Sequence, residues 1–398
     1  MRYPHSALPA LALLASSLLV SGCTPSGTNP ESVGSEMAEE PTGRLVIIGG
    51  ALRPDNAAVY QAVFEARDGD GPVCVVPTAG GDPASSMDSM VERLTGYGGE
   101  GSAVGILIPS ETPQVAYDSA IVAQFAGCSG FYFTGGAQSR ILNTFMPQGD
   151  TTPAYRALWD RWQSGAVLAG SSAGAAMMSR VMIASGNPTA AVTHGLAMEE
   201  DGDGIHITGG MGFFTASILD QHFLARGRIG RSLVAALAMD SVGVSLGIDE
   251  NTAMVVDGDS AVVVGASGVV VVDARSAQRE SEIRGTGIRV TLAGDGDVID
   301  LSTFEVRRDP TKLAVPVTDE APASVEDPLA RWAFLRVMTG LASSPATHAT
   351  FTAGGTTLSI TEGDGFGAWM QALEGGVEGA PLGFGAGPFL VDLTDSGM

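Results

Sequence analysis

Short apolar runs punctuate the first half of the chain, most of them closed by glycine or proline. They are RLVIIGG (44–50), PVCVVPT (72–78), AVGILIP (103–109), GFYFTGG (130–136) and AVLAGSS (166–172). Between them, apolar and polar positions alternate with helical spacing in NAAVYQAVFEAR (56–67), SSMDSMVERLTGY (85–97), VAYDSAIVAQFAG (115–127) and PAYRALWDRWQSG (153–165). Continuous apolar strands alternating with amphipathic helices predict an α/β fold, a doubly wound and mostly parallel sheet covered on both faces. In such sheets ligands gather outside the carboxyl ends of the strands. From about residue 241 the pattern shortens to β-rich runs with Gly-Asp turns, which predict hairpins at the sheet edge. GIRVTLAGDGDVIDL (287–301) continues this style. Residues 44–315 therefore read as the main α/β domain. Residues 316–329 read as a linker, 330–342 as an amphipathic helix, and 316–398 together as a β-rich C-terminal extension of unassigned role.

The amino terminus follows another pattern. Residues 1–22 combine Arg2, an apolar run from Ala7 to Val20 and small residues before Cys23. This predicts a signal peptide, too short for an ordinary membrane span. Leu19-Val20-Ser21-Gly22-Cys23 resembles the bacterial lipobox, which implies cleavage before Cys23 and lipidation of it. Residues 23–43 then form a Pro/Ser/Gly/Glu-rich tether. The expected location is the periplasmic or cell-surface side of a bacterial membrane, held by the lipid anchor.

The charge balance narrows the partners. Lys+Arg total 21 against 44 Asp+Glu, a formal net charge of −23. That argues against nucleic-acid binding through phosphate neutralisation. Export permits a disulfide between Cys74 and Cys128. The apolar setting of Cys74 favours buried free thiols instead. Neither cysteine has a partner at metal-ligand spacing, and EEDGDG (199–204) lacks the late bidentate glutamate of a calcium loop, so no metal and no cofactor is expected. A homodimer is compatible with the sequence but not specified by it.

Candidate chemistry centres on AGSSAGAA (169–176). Gly170-Ser171-Ser172-Ala173-Gly174 fits G-x-S-x-G with Ser172 in the middle, after a strand and before the helix-like AAMMSRVMI (175–183). A serine on such a strand–turn–helix elbow is exposed for attack, and helix N-terminal N–H groups can meet an oxyanion. The competing reading is a plain small-residue turn. A base is needed, and His222 stands in ILDQHFLARGRIGRS (218–232) with Asp220, Gln221, Arg226, Arg228 and Arg231. Three arginines so close together in an acidic chain suggest a carboxylate-binding site. GIDENTAMVV (247–256) offers Asp249 or Glu250 to orient the histidine, and spacing does not choose between them. FTGGAQSR (133–140) adds Gly135 and Gly136 for backbone approach and Gln138 for substrate.

Together GSSAGA, FTGGAQSR, DQHFLARGRIGR and GIDENTA resemble the cyanophycinase family of serine exopeptidases. These are related to aspartyl dipeptidases and share a flavodoxin-like core with class I glutamine amidotransferases. The resemblance spans about 44–305, including VIIGGALRPDN. It implies Ser172 as nucleophile, His222 as base and Glu250 as acid. It implies an oxyanion hole from the backbone of Ala173 and of Gly135 or Gly136. Gln138, Asp220, Gln221, Arg226, Arg228 and Arg231 would line the substrate pocket. The family often has Asp where this chain has Ala137. The implied reaction is release of β-aspartyl-arginine dipeptides from cyanophycin through an acyl-enzyme. Two alternatives are a peptidase of short aspartyl or β-aspartyl peptides, and a catalytically inactive surface binding protein of the same fold.

Overall fold

Leu45–Ile48, Val73–Val76, Ala103–Gly105, Gly130–Phe133 and Val167–Ser171 are strands, and four of the five pair only in parallel. The computed structural model describes residues 43–319 and 324–396. The signal peptide, Cys23 and nearly all of the tether lie outside the described residues. In space the five run 45–48, 167–171, 130–133, 73–76, 103–105. Four of them alternate between two apolar layers because neither sheet face meets water. Leu45, Ile47 and Leu168 enter the core on one face, and Val46, Ile48 and Val167 enter the helical layer on the other.

The covering helices begin where the sequence supplies caps. Asn56 accepts the N–H of Val59, Asp82 that of Ser85, and Thr152 that of Tyr155. Pro83 and Pro153 open their helices, where a missing N–H costs nothing.

The expectation of one mostly parallel sheet is corrected. Among the described residues there are two sheets, both mixed. In the nine-stranded sheet Thr252–Asp257, Ser260–Gly265, Val298–Asp300 and Val306–Arg307 extend the parallel strands with antiparallel ones. The hairpin region is split, for Gly268–Asp273 joins a twelve-stranded sheet instead. That sheet runs through Val181–Gly186, Ile218–Gln221, Val244–Ile248, Gly268–Asp273 and Gly285–Gly294. It continues into the extension as Gly385–Asp395 and Thr356–Met370. The two sheets share an apolar interior in which Met254 and Val263 meet the cluster of Leu219, Leu246, Ile248 and Val271.

The segment beyond 315 is structurally continuous with the rest, and the described residues form one compact unit. Its helix Ala333–Ala342 places Phe334, Met338 and Leu341 in the same core as Leu233 and Leu237. The N–H of Trp332 donates to Leu224 O at 2.8 Å. A β-carbon on Gly227 would lie 2.1 Å from Leu329 O, so this glycine lets the extension seat against the loop that follows His222.

Two further corrections are local. The helix after Ser172 is only Ala173–Ala176. The chain then leaves helical geometry because Arg180 N bonds Phe214 O and Val181–Gly186 pairs with Ile205–Gly209. Cys74 and Cys128, expected as free thiols, form a disulfide. Cys74 lies in one parallel strand and Cys128 just before its neighbour, which brings their Cα atoms to 5.9 Å. Closing a separation of 54 residues contributes on the order of 2–4 kcal/mol by restricting the unfolded chain.

Candidate functional site

The amino-terminal strand ends in Gly49-Gly50, and this seam gathers three distant segments. Ile48 O accepts the N–H of Ser172 at 3.0 Å, Gly49 O that of His222 at 2.7 Å, and Gly50 O that of Asn251 at 2.8 Å. A β-carbon on Gly50 would stand 2.3 Å from His222 Cε1, and one on Gly49 would stand 2.0 Å from Asp249 O. Only glycine permits so close an approach at both places. The VIIGG run was visible in the sequence, but its role as the meeting point was not read. Asn251 was also missed. Its Oδ1 accepts from Arg53 N and Asn56 Nδ2 and so ties the loop after the strand to the segment carrying Glu250.

Each of the three gathered segments contributes a non-glycine residue at positive φ, Ser172 at 55°, His222 at 50° and Asn251 at 55°, and Ala51 just after the seam is at 45°. Non-glycine residues there store strain, which clusters at functional sites. Ser172 is the turn between the strand Val167–Ser171 and the short helix. Its Oγ lies 2.9 Å from His222 Nε2, and His222 Nδ1 lies 2.6 Å from Glu250 Oε1. Of the two neighbouring acids, Glu250 is the one that reaches His222. Asp249 is fully buried, accepting Ala225 N at 2.9 Å and Ser267 Oγ at 2.7 Å. Burial pushes its carboxyl up to about 6.

The arginines separate by burial. Arg231 forms a bidentate pair with Asp220 at 2.6 Å through both Nε and Nη2, and its Nη1 donates to Gly186 O. Its side chain is 4% exposed and that of Asp220 is 0%. Burial alone would raise the Asp220 carboxyl, but the Arg231 and Arg228 guanidiniums outweigh it and hold it below the usual carboxylate range. Asp220, expected to meet a substrate guanidinium, is thus the internal counter-ion of Arg231. Arg231, expected to clamp a carboxylate, has its donors committed. Arg228 bonds Gln221 O at 2.7 Å, and burial lowers it to about 10, still charged at neutral pH. Arg226 is the open member, its side chain half exposed with Nε 3.7 Å from Glu250 Oε1. Arg228 and Arg231 are thus answered by the internal acid Asp220, and Arg226 is the guanidinium left open to an anionic group.

Of the remaining candidates, Gln221 and Gly135 border Ser172. Gln221 Oε1 is 3.4 Å from Ser172 Oγ. A β-carbon on Gly135 would lie 3.3 Å from Ser172 Cβ, so that backbone adjoins the hydroxyl, and Gly136 holds φ 146° beside Ala79 O. Ala173 opens the short helix, where N–H groups lack intrahelical acceptors. Gln138 commits its amide NH2 to Ile183 O and Ala184 O, fixing the strand Val181–Gly186 beside the site. Arg140 donates to Ala79 O and Gly80 O from the same helix. Among the described residues no group of three or more His, Cys, Asp or Glu side chains is arranged to hold a metal ion.

His222 decides what this arrangement can do. Burial drives its pKa down to about 4, with Arg226 and Arg228 acting in the same direction and the bond to Glu250 opposing them. At neutral pH the ring is therefore uncharged. With Glu250 on Nδ1, the unprotonated Nε2 faces the serine hydroxyl and can accept its proton.

The chain is similar to known peptidases. The pattern of Peptidase family S51 matches residues 45–264. The cyanophycinase of Nostoc sp. (strain PCC 7120) is 31% identical over 218 residues, 54% of this chain and 68% of the relative. The cyanophycinase of Synechococcus elongatus is 27% identical over 277 residues, 67% of this chain and 81% of the relative. A crystal structure of a peptidase from an acI-B1 Actinobacterium, 21% identical, covers 58% of this chain and 91% of its own, with a TM-score of 0.45. With over half of its length matched, the chain belongs to peptidase family S51.

Proposed function

We propose that this peptidase is an exported serine exopeptidase that cleaves cyanophycin to β-aspartyl-arginine dipeptides. The observation carrying the reading is the continuous hydrogen-bond chain from Ser172 through His222 to Glu250, set beside the half-exposed Arg226. Ser172 Oγ attacks the scissile carbonyl as His222 takes its proton. The N–H groups of Ala173 and of Gly135 or Gly136 receive the oxyanion. His222 then protonates the departing amine, and water releases the acyl group by the same steps in reverse. Arg226 meets a free carboxylate of the substrate's arginine, with Gln221 and Gln138 bordering the same space. Arg228 supports Gln221 from behind. The named relatives' activity and the half-exposed Arg226 both support a substrate rich in carboxylates. The Cys74–Cys128 disulfide supports an oxidising compartment, in keeping with export and a lipid anchor at Cys23.

The pH profile tests the base. A protonated His222 cannot take the serine proton, and its pKa is lowered from 6.5 to about 4. The kcat/KM for dipeptide release should therefore stay level as pH falls from 7 to 5 and decline only near 4. Arg226→Gln, which removes a positive charge near the ring, should move that decline to higher pH. An acid limb at an ordinary histidine value in the unaltered chain would refute a neutral, buried base.

A further inference from the structure

A polar cleft of about 510 Å³ opens away from the Ser172 site, where the extension meets both sheets. Asp273 on its wall pairs with Val244, whereas Ile248, two residues before Glu250, pairs with Val269. Four strand residues thus separate the two ends, about 13 Å along the sheet. The cleft is rigidly built. Trp369 is 9% exposed, and its Nε1 donates to Asp297 Oδ2 at 2.7 Å. Asp297 is in turn neutralised by Lys312 at 2.8 Å, a fully buried pair. Lys312 is the chain's one lysine. On the wall Arg275 grips Asp273 with two bonds and lies 4.8 Å over the Phe304 ring.

Against this fixed frame stand three exposed charges, Arg289, Glu305 and Asp364. Among the described residues none of their side chains has a hydrogen-bond or ion-pair partner. Asp364 rides on an irregularity between Glu362 and Gly367, where the ladder with Gly385–Asp395 breaks. Such bulges re-aim side chains near functional sites. Unpaired charges of both signs on a preorganised frame suit a ligand that carries carboxylate and guanidinium together.

We infer that this cleft is a second, non-catalytic holding site for the polymeric substrate, gripping arginine-bearing units remote from the end being cleaved. The inference rests on the reading of the substrate as cyanophycin. Arg289 takes an arginine carboxylate, and Glu305 and Asp364 take guanidiniums. Cleavage at Ser172 then proceeds on a chain already tethered, which raises its effective concentration at the active site.

The test is co-sedimentation of the full chain with cyanophycin granules, unaltered and as Arg289→Ala/Asp364→Ala. Both positions are exposed, so the fold should survive, as the melting temperature will verify. The double variant should bind the granules about tenfold more weakly. It should also keep unaltered turnover of a two-unit β-aspartyl-arginine oligomer, whose backbone of about 7 Å cannot span both places. Equal sedimentation of the two chains, or no sedimentation of either, overturns the cleft. So does a loss of oligomer turnover that matches the loss of binding, because that traces the effect to the active site. If the unaltered chain cleaves neither substrate, the peptidase reading fails, and the sedimentation comparison still decides the cleft.

Discussion

Ser172→Ala should abolish dipeptide release while leaving the protein folded. Loss of the attacking oxygen in a serine triad typically lowers kcat by about 10⁴-fold or more, to the level supported by oxyanion contacts and binding alone. The side chain is held by His222 Nε2 and a long contact to Gln221. Its removal relieves neither the backbone bond to Ile48 O nor the positive φ. Stability should therefore change by less than about 1 kcal/mol. The measurements are steady-state hydrolysis and thermal unfolding, with a fluorophosphonate probe as a third. The probe should add its mass at Ser172 in the unaltered chain and not in the variant. Full activity in Ser172→Ala would assign the chemistry to another residue.

The second large effect is on stability. Asp220→Ala should cost about 3–5 kcal/mol, because it leaves the Arg231 guanidinium buried without its counter-charge. That side chain is 4% exposed, and its guanidinium donates two 2.6 Å bonds to Asp220. Asp220 Oδ1 also accepts Gln221 N at 2.7 Å, so its loss loosens the strand end that presents His222. Urea denaturation should show a clear drop in midpoint. This outcome separates two roles for the same residue. An Asp220 that met substrate would leave the midpoint in place and raise KM, which would contradict its assignment as a buried counter-ion.

The parallel strands were legible because burial on both faces demands unbroken apolar runs, and VIIGG, PVCVVP and GFYF carry nothing else. The helices were legible from their apolar period alone, and Asn56, Asp82 and Thr152 cap three of them in the structure. The division into two sheets was not. VVVG at 262–265 and VVVVD at 269–273 have the same local pattern, and only long-range pairing sends one to Val298–Asp300 and the other to Gly285–Gly294. The disulfide depended on the same information, since sequence order does not reveal that the strand holding Cys74 adjoins the one that begins just after Cys128.

At the site, residue types were readable and burial was not. Arg226, Arg228 and Arg231 look alike in sequence, yet one is half exposed and one is internal. A signal did exist. Arg231 falls inside IGRSLVAALA, a helix whose ten residues are nearly all buried, so its guanidinium needed an internal acid. Asp249 and Glu250 could not be separated by spacing. A single residue along an extended segment reverses the side chain, which sends Asp249 toward Ala225 and Ser267 and Glu250 toward His222.

The most direct test is to incubate the full-length chain with purified cyanophycin and follow the soluble products by mass spectrometry. The account predicts β-aspartyl-arginine dipeptide as the accumulating species from the earliest time points, with no intermediate-length fragments. Soluble internal fragments, or an undiminished polymer with no dipeptide, would contradict it.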